Sequence, residues 1–166
     1  MKYIIPIIIA GLIALDQGIK YWAVNNLQLA GQIKIWPDVF HLAYVENRGA
    51  AFGIMQNRQT LFIIITLAVL GGILWQWKQI PDNKSGKAMK IALILIVSGA
   101  IGNLIDRIIL GYVVDMFYFV LIDFPVFNVA DICVVCGTIL LMPILIFGDI
   151  EPAEEEEFNT NLETEN

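Results

Sequence analysis

The sequence predicts an all-α membrane protein in which four transmembrane helices carry a small extracytoplasmic β-hairpin or cradle. Three observations lead to this fold class. Hydrophobic residues make up 58% of the 166-residue chain, and its mean hydropathy is +0.71, whereas apolar residues usually form about 45 to 50% of a soluble domain. Four apolar stretches approach the length of about 20 helical residues that a hydrocarbon layer requires. Between the first two stretches, apolar and polar residues alternate around a turn signal.

The first stretch is predicted to span the membrane over about residues 3–23. The apolar run that follows Lys2 resembles the start of a secretory signal peptide, but no cleavage site of small residues follows it. Asp16 and Lys20 stand in its place, and further apolar and aromatic residues come after them. We therefore expect an uncleaved first helix.

Three further spans are predicted over about residues 60–77, 88–105 and 132–147. The second contains no charged residue and ends with Trp75 and Trp77, at the level where membrane proteins carry aromatic residues. The fourth is likewise uncharged over its whole length. Together the four spans predict one membrane domain over residues 1–148.

The C-terminal segment, residues 149–166, is predicted to be a disordered cytoplasmic tail without chemistry of its own. It holds eight of the 16 acidic residues and none of the 10 basic ones, and it has too little apolar surface to fold by itself. The rest of the chain is close to neutral. Nothing in it suggests the basic face that nucleic-acid binding requires.

The distribution of lysines predicts the orientation in the membrane. Residues 78–90 carry four lysines, whereas the only basic residue within residues 106–131 is Arg107. Because lysine-rich loops stay on the cytoplasmic side, we expect both termini in the cytoplasm. Residues 24–59 and 106–131 then face outward.

The long outer segment contains a predicted β-hairpin over residues 33–44. Apolar and polar residues alternate on either side of Pro37 and Asp38, which form a turn signal. The apolar face of this hairpin would lie against the membrane surface or over the ends of the helices.

Histidine and cysteine are too scarce for metal chemistry. The chain has one histidine, His41, and two cysteines, whereas a structural zinc site needs about four such ligands. Cys133 and Cys136 have the spacing of a redox pair, but no second pair exists to pass electrons onward, so we expect both to pack in the fourth helix. No metal or other cofactor is predicted.

Asp16 and Lys20 are the first charged interruption of an apolar span. Each charge within a membrane costs about 2.5 to 3.5 kcal/mol on insertion scales, so such residues are functional candidates. They stand four residues apart on a helix, where opposite charges meet. They either neutralise each other near the outer end of the helix or position a substrate or the catalytic loop.

A second group lies at the outer end of the third span. Asn103, Asp106 and Arg107 follow the spacing i, i+3 and i+4 and can share one helix face. Asp106 and Arg107 could form a structural cap or ion pair. Alternatively, Asn103 and Arg107 could hold a polar ligand or orient a catalytic carboxylate, for which the rigid guanidinium fork is suited.

Asp115 and Asp131 are the two carboxylates predicted on the outer rim. Asp115 follows a glycine and two β-branched residues, where the chain should be extended, and Asp131 lies three residues after Asn128 at the start of the fourth helix. Two close carboxylates share a proton as a coupled pair. Such a pair suits an aspartic peptidase, in which one group activates a water molecule and the other acts as acid. It would equally suit a small ion or proton transporter.

The glycine-rich segment over residues 46–53 is the last polar feature. Asn47 and Arg48 precede Gly49 and further small residues. This segment is either a tight turn or a cradle for a peptide backbone or a lipid headgroup.

Taken together, these segments resemble lipoprotein signal peptidase, also called signal peptidase II, a family of four-helix membrane aspartic peptidases. The similarity extends over residues 3–147. Five motifs appear in family order: Asp-Gln-Gly-Ile-Lys at 16–20, Asn-Arg-Gly-Ala-Ala-Phe at 47–52, Gly-Asn-Leu-Ile-Asp-Arg at 102–107, Val-Val-Asp at 113–115 and Phe-Asn-Val-Ala-Asp at 127–131. Each motif alone is weak, but five in order are specific.

The resemblance implies that Asp115 and Asp131 are the catalytic pair. The remaining site residues that it implies are Asn47, Asn103, Arg107 and Asn128 along the substrate, with Asp16, Lys20, Asp106 and Gly49 in support. The implied substrate is a bacterial prolipoprotein whose cysteine carries a diacylglyceryl group, cut just before that cysteine. The family's extracytoplasmic β-cradle agrees with the predicted hairpin.

Several further expectations accompany the resemblance. The protein should be a multi-pass protein of the bacterial cell membrane with its active site at the outer face, in contact with membrane lipid. A monomer is expected because four helices and a cradle can enclose one site. Residues 49–53, together with the hairpin, are a candidate lid over that site.

Overall fold

The computed structural model describes residues 4–49 and 58–148. In chain order, its helices are α1 (Ile4–Ala30), α2 (Gln59–Gln76), α3 (Lys84–Ile109) and α4 (Val129–Phe147). Its strands are β1 (Gln32–Trp36), β2 (Phe40–Asn47) and β3 (Val113–Phe119), and short 3-10 turns, Trp77–Gln79 and Val120–Ile122, follow α2 and β3. All four helices are long and apolar enough to cross a membrane. The predicted fold class, a four-helix membrane protein with a small sheet, is confirmed.

Helix α1 continues well past position 23, where the predicted span ended. Its last turns are polar on one side, and Asn25 and Asn26 donate side-chain hydrogen bonds to the carbonyl groups four residues earlier. On the other side, Leu27 is fully buried against Val114 and Met116 of β3. The helix therefore supports the sheet as well as crossing the membrane, and Asp16 and Lys20 lie near its middle rather than at its outer end.

Helix α3 is central and contacts the other three helices. Asn83 caps its first turn, with its Oδ1 accepting a hydrogen bond from the backbone N–H of Gly86 at 2.9 Å. Glycines allow close packing on α1 and α4: a Cβ on Gly102 would lie 2.6 Å from Asp16 Oδ2, and one on Gly137 would lie 2.7 Å from the carbonyl oxygen of Ala92. Helix α2 has no buried residue and lies at the edge of this group.

Strands β1, β2 and β3 form a three-stranded antiparallel sheet in the order β1-β2-β3. The hairpin predicted over residues 33–44 corresponds to β1 and β2, joined by a turn in which Asp38 has a φ of 60°. Strand β3 completes the sheet, pairing Val113 with Asn47 and Asp115 with Val45. The sequence indicated only an extended chain here because the first four residues of β3 are all buried, so no alternation marks them as a strand.

Two predicted features lie outside the described residues. One is the acidic tail over residues 149–166, and the other is the part of the candidate lid that follows Gly49.

Candidate functional site

Asp115 and Asp131 are brought to one site by a strand and a helix start. Asp115 lies near the middle of β3 and is 1% exposed. Asp131 is the third residue of α4, where its side chain accepts a hydrogen bond from the backbone N–H of Asn128 at 3.1 Å. Because the N-terminal turn of a helix leaves N–H groups unpaired, a carboxylate there is held in a fixed direction.

Asn128 links the two carboxyl groups. Its side chain donates a hydrogen bond from Nδ2 to Asp115 Oδ1 at 2.6 Å, while its backbone N–H bonds Asp131. Its Oδ1 accepts from the backbone N–H of Asp131 at 2.9 Å and thereby caps α4. A fully buried asparagine therefore couples the start of the helix to the geometry of the pair.

Asn103 of α3 holds Asp131 from the opposite side. Its Nδ2 donates to Asp131 Oδ1 at 2.8 Å, and its Oδ1 accepts from Lys20 Nζ at 2.9 Å. The Oδ1 atom also accepts from Asn128 Nδ2 at 3.1 Å. Because an ammonium group can only donate, Lys20 fixes which end of the Asn103 amide faces the carboxylate.

Lys20 is the centre of a buried charge cluster. Its Nζ lies 3.0 Å from Asp16 Oδ2 and 3.0 Å from Asp106 Oδ2. All three side chains are nearly inaccessible to solvent. The pairing of Asp16 with Lys20 agrees with their spacing, but Asp106 pairs with Lys20, and no ion pair with Arg107 is present in the described part of the chain.

The two acidic members of the cluster also hold neighbouring backbone. Asp16 accepts a hydrogen bond from the backbone N–H of Ala130 in α4 at 2.9 Å. Asp106 accepts one from the backbone N–H of Val114 in β3 at 3.0 Å. The cluster therefore fixes the two segments that carry Asp115 and Asp131.

Gln17 belongs to the same cluster and was not predicted as a site residue. Its Nε2 donates to Asp106 Oδ1 at 3.0 Å and to the carbonyl oxygen of Gly102 at 3.1 Å. The sequence feature that could have indicated Gln17 is its position as a polar residue next to Asp16 within an apolar span.

Asn47 reaches the pair from the end of β2. Its Nδ2 donates to Asp115 Oδ2 at 2.9 Å, and its Oδ1 accepts from the backbone N–H of Gly49 at 3.0 Å. The backbone N–H of Gly49 therefore fixes which end of the Asn47 amide faces Asp115, as Lys20 does for the Asn103 amide. The choice between a tight turn and a cradle over residues 46–53 stays a prediction, because residues 50–53 lie outside the described residues.

The surroundings of Asp115 favour its neutral form. Burial raises its pKa to about 7, and the negative charge of Asp131 acts in the same direction. The amide donors of Asn47 and Asn128, and the more distant charge of Lys20, oppose this rise only in part. A proton is therefore held at this carboxyl group close to neutral pH.

Both carboxyl groups line a cavity of about 970 Å³. Further polar side chains line it, namely Asn47, Asn103, Arg107, Glu46, Arg48, Tyr118 and Asp123. The remainder is largely apolar and faces the membrane-spanning part, with side chains from α2, α3 and α4 that include Ile65, Val69, Ile96, Ile132 and Val135. The volume is at the upper end of the range of about 300 to 1,000 Å³ that is usual for ligand sites.

Arg107 lines this cavity without contacting either aspartate. Its guanidinium carbon lies 5.1 Å from the centre of the Phe62 ring of α2, and its Nη1 donates a long hydrogen bond of 3.4 Å to the carbonyl oxygen of Asn103. Its Nε is buried and has no hydrogen-bond partner within residues 4–49 and 58–148. The guanidinium group therefore lies at the cavity wall with one donor that no described residue uses.

Both cysteines lie on α4 and are free. Among residues 4–49 and 58–148, no three His, Cys, Asp or Glu side chains are grouped so that they could hold a metal ion. Cys133 packs as expected, but Cys136 is exposed and lines the cavity.

Comparison with known proteins gives consistent results. A family model described as signal peptidase (SPase) II matches residues 8–147. The chain is 47% identical to a lipoprotein signal peptidase of Streptococcus thermophilus, over 87% of this chain and 93% of the relative. It is 49% identical to a lipoprotein signal peptidase of Clostridioides difficile, over 89% of this chain and 96% of the relative.

Solved structures with a similar fold are bacterial membrane enzymes determined by the in meso method. One has a TM-score of 0.77 and 31% sequence identity, covering 86% of this chain and 87% of its own. A second has a TM-score of 0.75 and 31% identity, covering 87% of this chain and 94% of its own.

Proposed function

This chain belongs to the signal peptidase (SPase) II family and so removes signal peptides from prolipoproteins, and we propose that it does so by aspartic catalysis at Asp115 and Asp131. The observation that carries the proposal is the position of the two carboxyl groups at one end of a large cavity, joined through Asn128. The comparisons give no support to the ion or proton transporter that the sequence alone left open.

The proposed chemistry needs one proton between the two carboxyl groups. One carboxylate takes a proton from a water molecule that attacks the scissile carbonyl carbon. The other, protonated, donates to the developing oxyanion. When the tetrahedral intermediate collapses, the first carboxyl group passes the water proton to the leaving amine, and the second takes its own proton back, so the pair ends with one proton as it began. The pKa of about 7 at Asp115 supports this division of labour, because it keeps a proton on the pair at neutral pH.

The cavity suits a peptide that is attached to a lipid. Its polar end offers donors from Asn47, Asn103 and Arg107, which can bind the peptide backbone on either side of the scissile bond. Its apolar part lies among the membrane-spanning helices, where acyl chains or a hydrophobic signal helix would remain out of water. We therefore assign as substrate a diacylglyceryl-modified prolipoprotein that is cut just before its lipidated cysteine.

The protein is a multi-pass protein of the bacterial membrane. We place both termini in the cytoplasm and the catalytic pair at the outer face. The lysines at positions 84, 87 and 90 lie in the first two turns of α3, whereas Asp106 and Arg107 lie in its last turn, so the lysine-rich end and the site are on opposite sides. Since one chain encloses the cavity, we propose a monomer.

The test is cleavage by the purified protein in lipid. Wild-type protein given a diacylglyceryl-modified prolipoprotein should release a signal peptide, detected by mass spectrometry, and the cut should fall before the lipidated cysteine. Asp115→Asn and Asp131→Asn should each abolish the product while retaining the helical circular dichroism of the wild type.

The matched control is Asp82→Asn. Asp82 is exposed and pairs with Lys90 at the lysine-rich end of α3, so the same substitution there should leave cleavage unchanged. Full activity in either Asp115→Asn or Asp131→Asn would show that the pair is assigned wrongly.

A further inference from the structure

Residues 119–124, which follow the catalytic strand, form an apolar projection that we call the wedge. Leu121 and Ile122 at its tip are each 69% exposed. Phe119 and Phe124 at its two ends are also exposed, although each also contacts other rings. Contiguous apolar exposure of this kind marks an interaction surface.

An aromatic cluster supports the wedge from behind. Phe119 and Phe124 pack on Phe127, with ring centroids 5.9 and 5.8 Å apart. Phe40 of β2 lies 5.1 Å from Phe119. The tip is therefore exposed on a rigid base and does not collapse onto its own sheet.

The wedge continues the lipid-facing surface of α4. Phe119 and Phe127 share a shallow apolar groove of about 400 Å³ with Ile132, and Ile132 begins a row of exposed apolar side chains on α4 that includes Val135 and Ile139. Helix α4 has 19 residues and is therefore about 28 Å long, close to the hydrocarbon thickness of about 30 Å. Its first turn, and the groove beside it, thus lie at one membrane boundary.

Four backbone N–H groups of the wedge have hydrogen-bond partners within the protein. Polar backbone groups in the hydrocarbon region must be satisfied within the protein. The N–H groups of Val120 and Leu121 both bond the carbonyl oxygen of Val39, at 2.9 and 3.4 Å, and the N–H of Phe124 bonds that of Phe119 at 3.1 Å. The N–H of Asp123 bonds the carbonyl oxygen of Val120 at 3.0 Å.

Asp123 limits how deeply the wedge can enter. It is the only charged residue in the segment, and its exposed side chain accepts a hydrogen bond from Tyr118 Oη at 2.6 Å. An exposed carboxylate beside an apolar tip suits the boundary between headgroups and acyl chains, where interfacial segments are buried by about 5 to 10 Å.

We propose that the wedge inserts into the outer leaflet, with Leu121 and Ile122 among the acyl chains and Asp123 at the headgroups. Asp123 and Phe124 of the wedge also line the large cavity. The wedge therefore joins the proposed membrane contact to the wall of that cavity.

The test measures depth in the resting protein, so its result is independent of the proposed catalytic pair. A fluorescent NBD probe is attached to Leu121→Cys, and separately to Ile122→Cys, after Cys133→Ala and Cys136→Ala substitutions. Both tip side chains are largely exposed, so labelling removes little packing. Liposomes contain phosphatidylcholine brominated either near the headgroup or near the chain end.

Two reference sites calibrate the measurement. A probe at Leu67, in the middle of α2, should be quenched by bromine near the chain end, and one at the exposed Lys34 of β1 should be quenched by neither lipid. The tip probes should show blue-shifted emission and lose fluorescence to the shallow bromine.

Tip probes that behave like the Lys34 probe would overturn the proposal. Quenching that appears only at high protein-to-lipid ratios would also overturn it, because the tip would then contact a second copy of the chain rather than lipid.

Discussion

Lys20 Nζ lies 2.9 Å from Asn103 Oδ1. The contact joins the first membrane helix to an amide whose other end donates a hydrogen bond to Asp131, one of the two proposed catalytic residues. Neither residue needs to touch the substrate for this contact to matter, because it decides whether Asn103 presents a donor or an acceptor to Asp131.

The first prediction concerns Lys20→Met. Loss of the ammonium group frees the Asn103 amide to rotate and leaves the carboxylates of Asp16 and Asp106 without their shared partner. Misplacement of a catalytic group by about 1 Å can cost on the order of 10²-fold in rate, so kcat should fall by this order while KM changes little. Steady-state kinetics with a lipidated substrate measure the two constants separately.

Lys90→Met is the control for this prediction. It removes the same group from a pair whose partner, Asp82, is exposed, and exposed pairs contribute about 0 to 1 kcal/mol. An unchanged kcat in Lys20→Met would show that the amide orientation does not depend on the lysine.

The second prediction is an alkaline loss of activity. The pKa of Asp115 is raised to about 7 by burial and by Asp131, so its carboxyl group is neutral below that pH and ionised above it. The pair loses its shared proton as pH rises through 7, and kcat should fall on the alkaline side. A kcat–pH profile recorded where circular dichroism stays constant checks this, and a profile flat through neutrality would contradict it.

The third prediction is a shift of the alkaline limb of the kcat–pH profile in Asn47→Ala. The hydrogen bond from Asn47 to Asp115 stabilises the ionised form and lowers its pKa. Asn47→Ala removes the donor, so the proton is held more tightly and the alkaline limb of kcat should move to higher pH. The control is Asn26→Ala, at an exposed asparagine of α1, which should leave the alkaline limb of the kcat–pH profile unchanged. A limb that moves to lower pH in Asn47→Ala would show that the hydrogen bond from Asn47 does not lower the pKa of Asp115.

The fourth prediction separates the two roles of Asn128. Asn128→Ser retains an oxygen that can cap α4 but loses the amide donor to Asp115, whereas Asn128→Ala loses both. Removing the donor leaves the buried Asp115 carboxyl group without this partner, which costs about 1 to 3 kcal/mol, so kcat should fall about tenfold in both variants. Only the alanine variant should lose about 1 kcal/mol through the missing cap, as measured by thermal unfolding. Equal thermal stability in the two variants would show that the Asn128 side chain does not stabilise α4 as its N-cap.

The fifth prediction tests the contact of α3 with α1. A methyl group at Gly102 would lie 2.6 Å from Asp16 Oδ2, so Gly102→Ala must displace the carboxylate that holds Ala130. Such overpacking costs about 1 to 3 kcal/mol, and both the unfolding temperature and the activity should fall. Gly72→Ala on α2, where no atom lies within 4 Å, should have neither effect.

The sequence predicted those parts of the fold that depend on periodicity and on the cost of charge in lipid. Apolar stretches located the four helices, and Asp16 and Lys20 stood out as charges that an apolar span must compensate. It could not predict that Asp106 pairs with Lys20, because that choice depends on how closely α1 approaches α3 at Gly102. Nor could it extend α1 to Ala30, since the polar residues there are stabilised by packing of Leu27 under the sheet.

The five ordered motifs identified the candidate site residues. Their spacing in the sequence did not predict which side chains form hydrogen bonds with one another. Asn128 illustrates the difference. Its position three residues before Asp131 is visible in the sequence, whereas its bond to Asp115 depends on β3 pairing with β2, and β3 has no alternating pattern to predict it.

The pairing of Asp16 with Lys20 also bears on how the protein is made. The two residues lie one turn apart on α1, so their bond can form as soon as that helix exists, before α3 has been synthesised. Each charge alone would raise the free energy of membrane insertion by about 2.5 to 3.5 kcal/mol at the centre of a helix. A pair within one helix has no net charge when it enters the bilayer. We therefore expect the first helix to enter lipid as a neutral segment, with Asp106 joining Lys20 once α3 has been inserted. The same pair would then serve first in membrane insertion and later in support of the proposed active site.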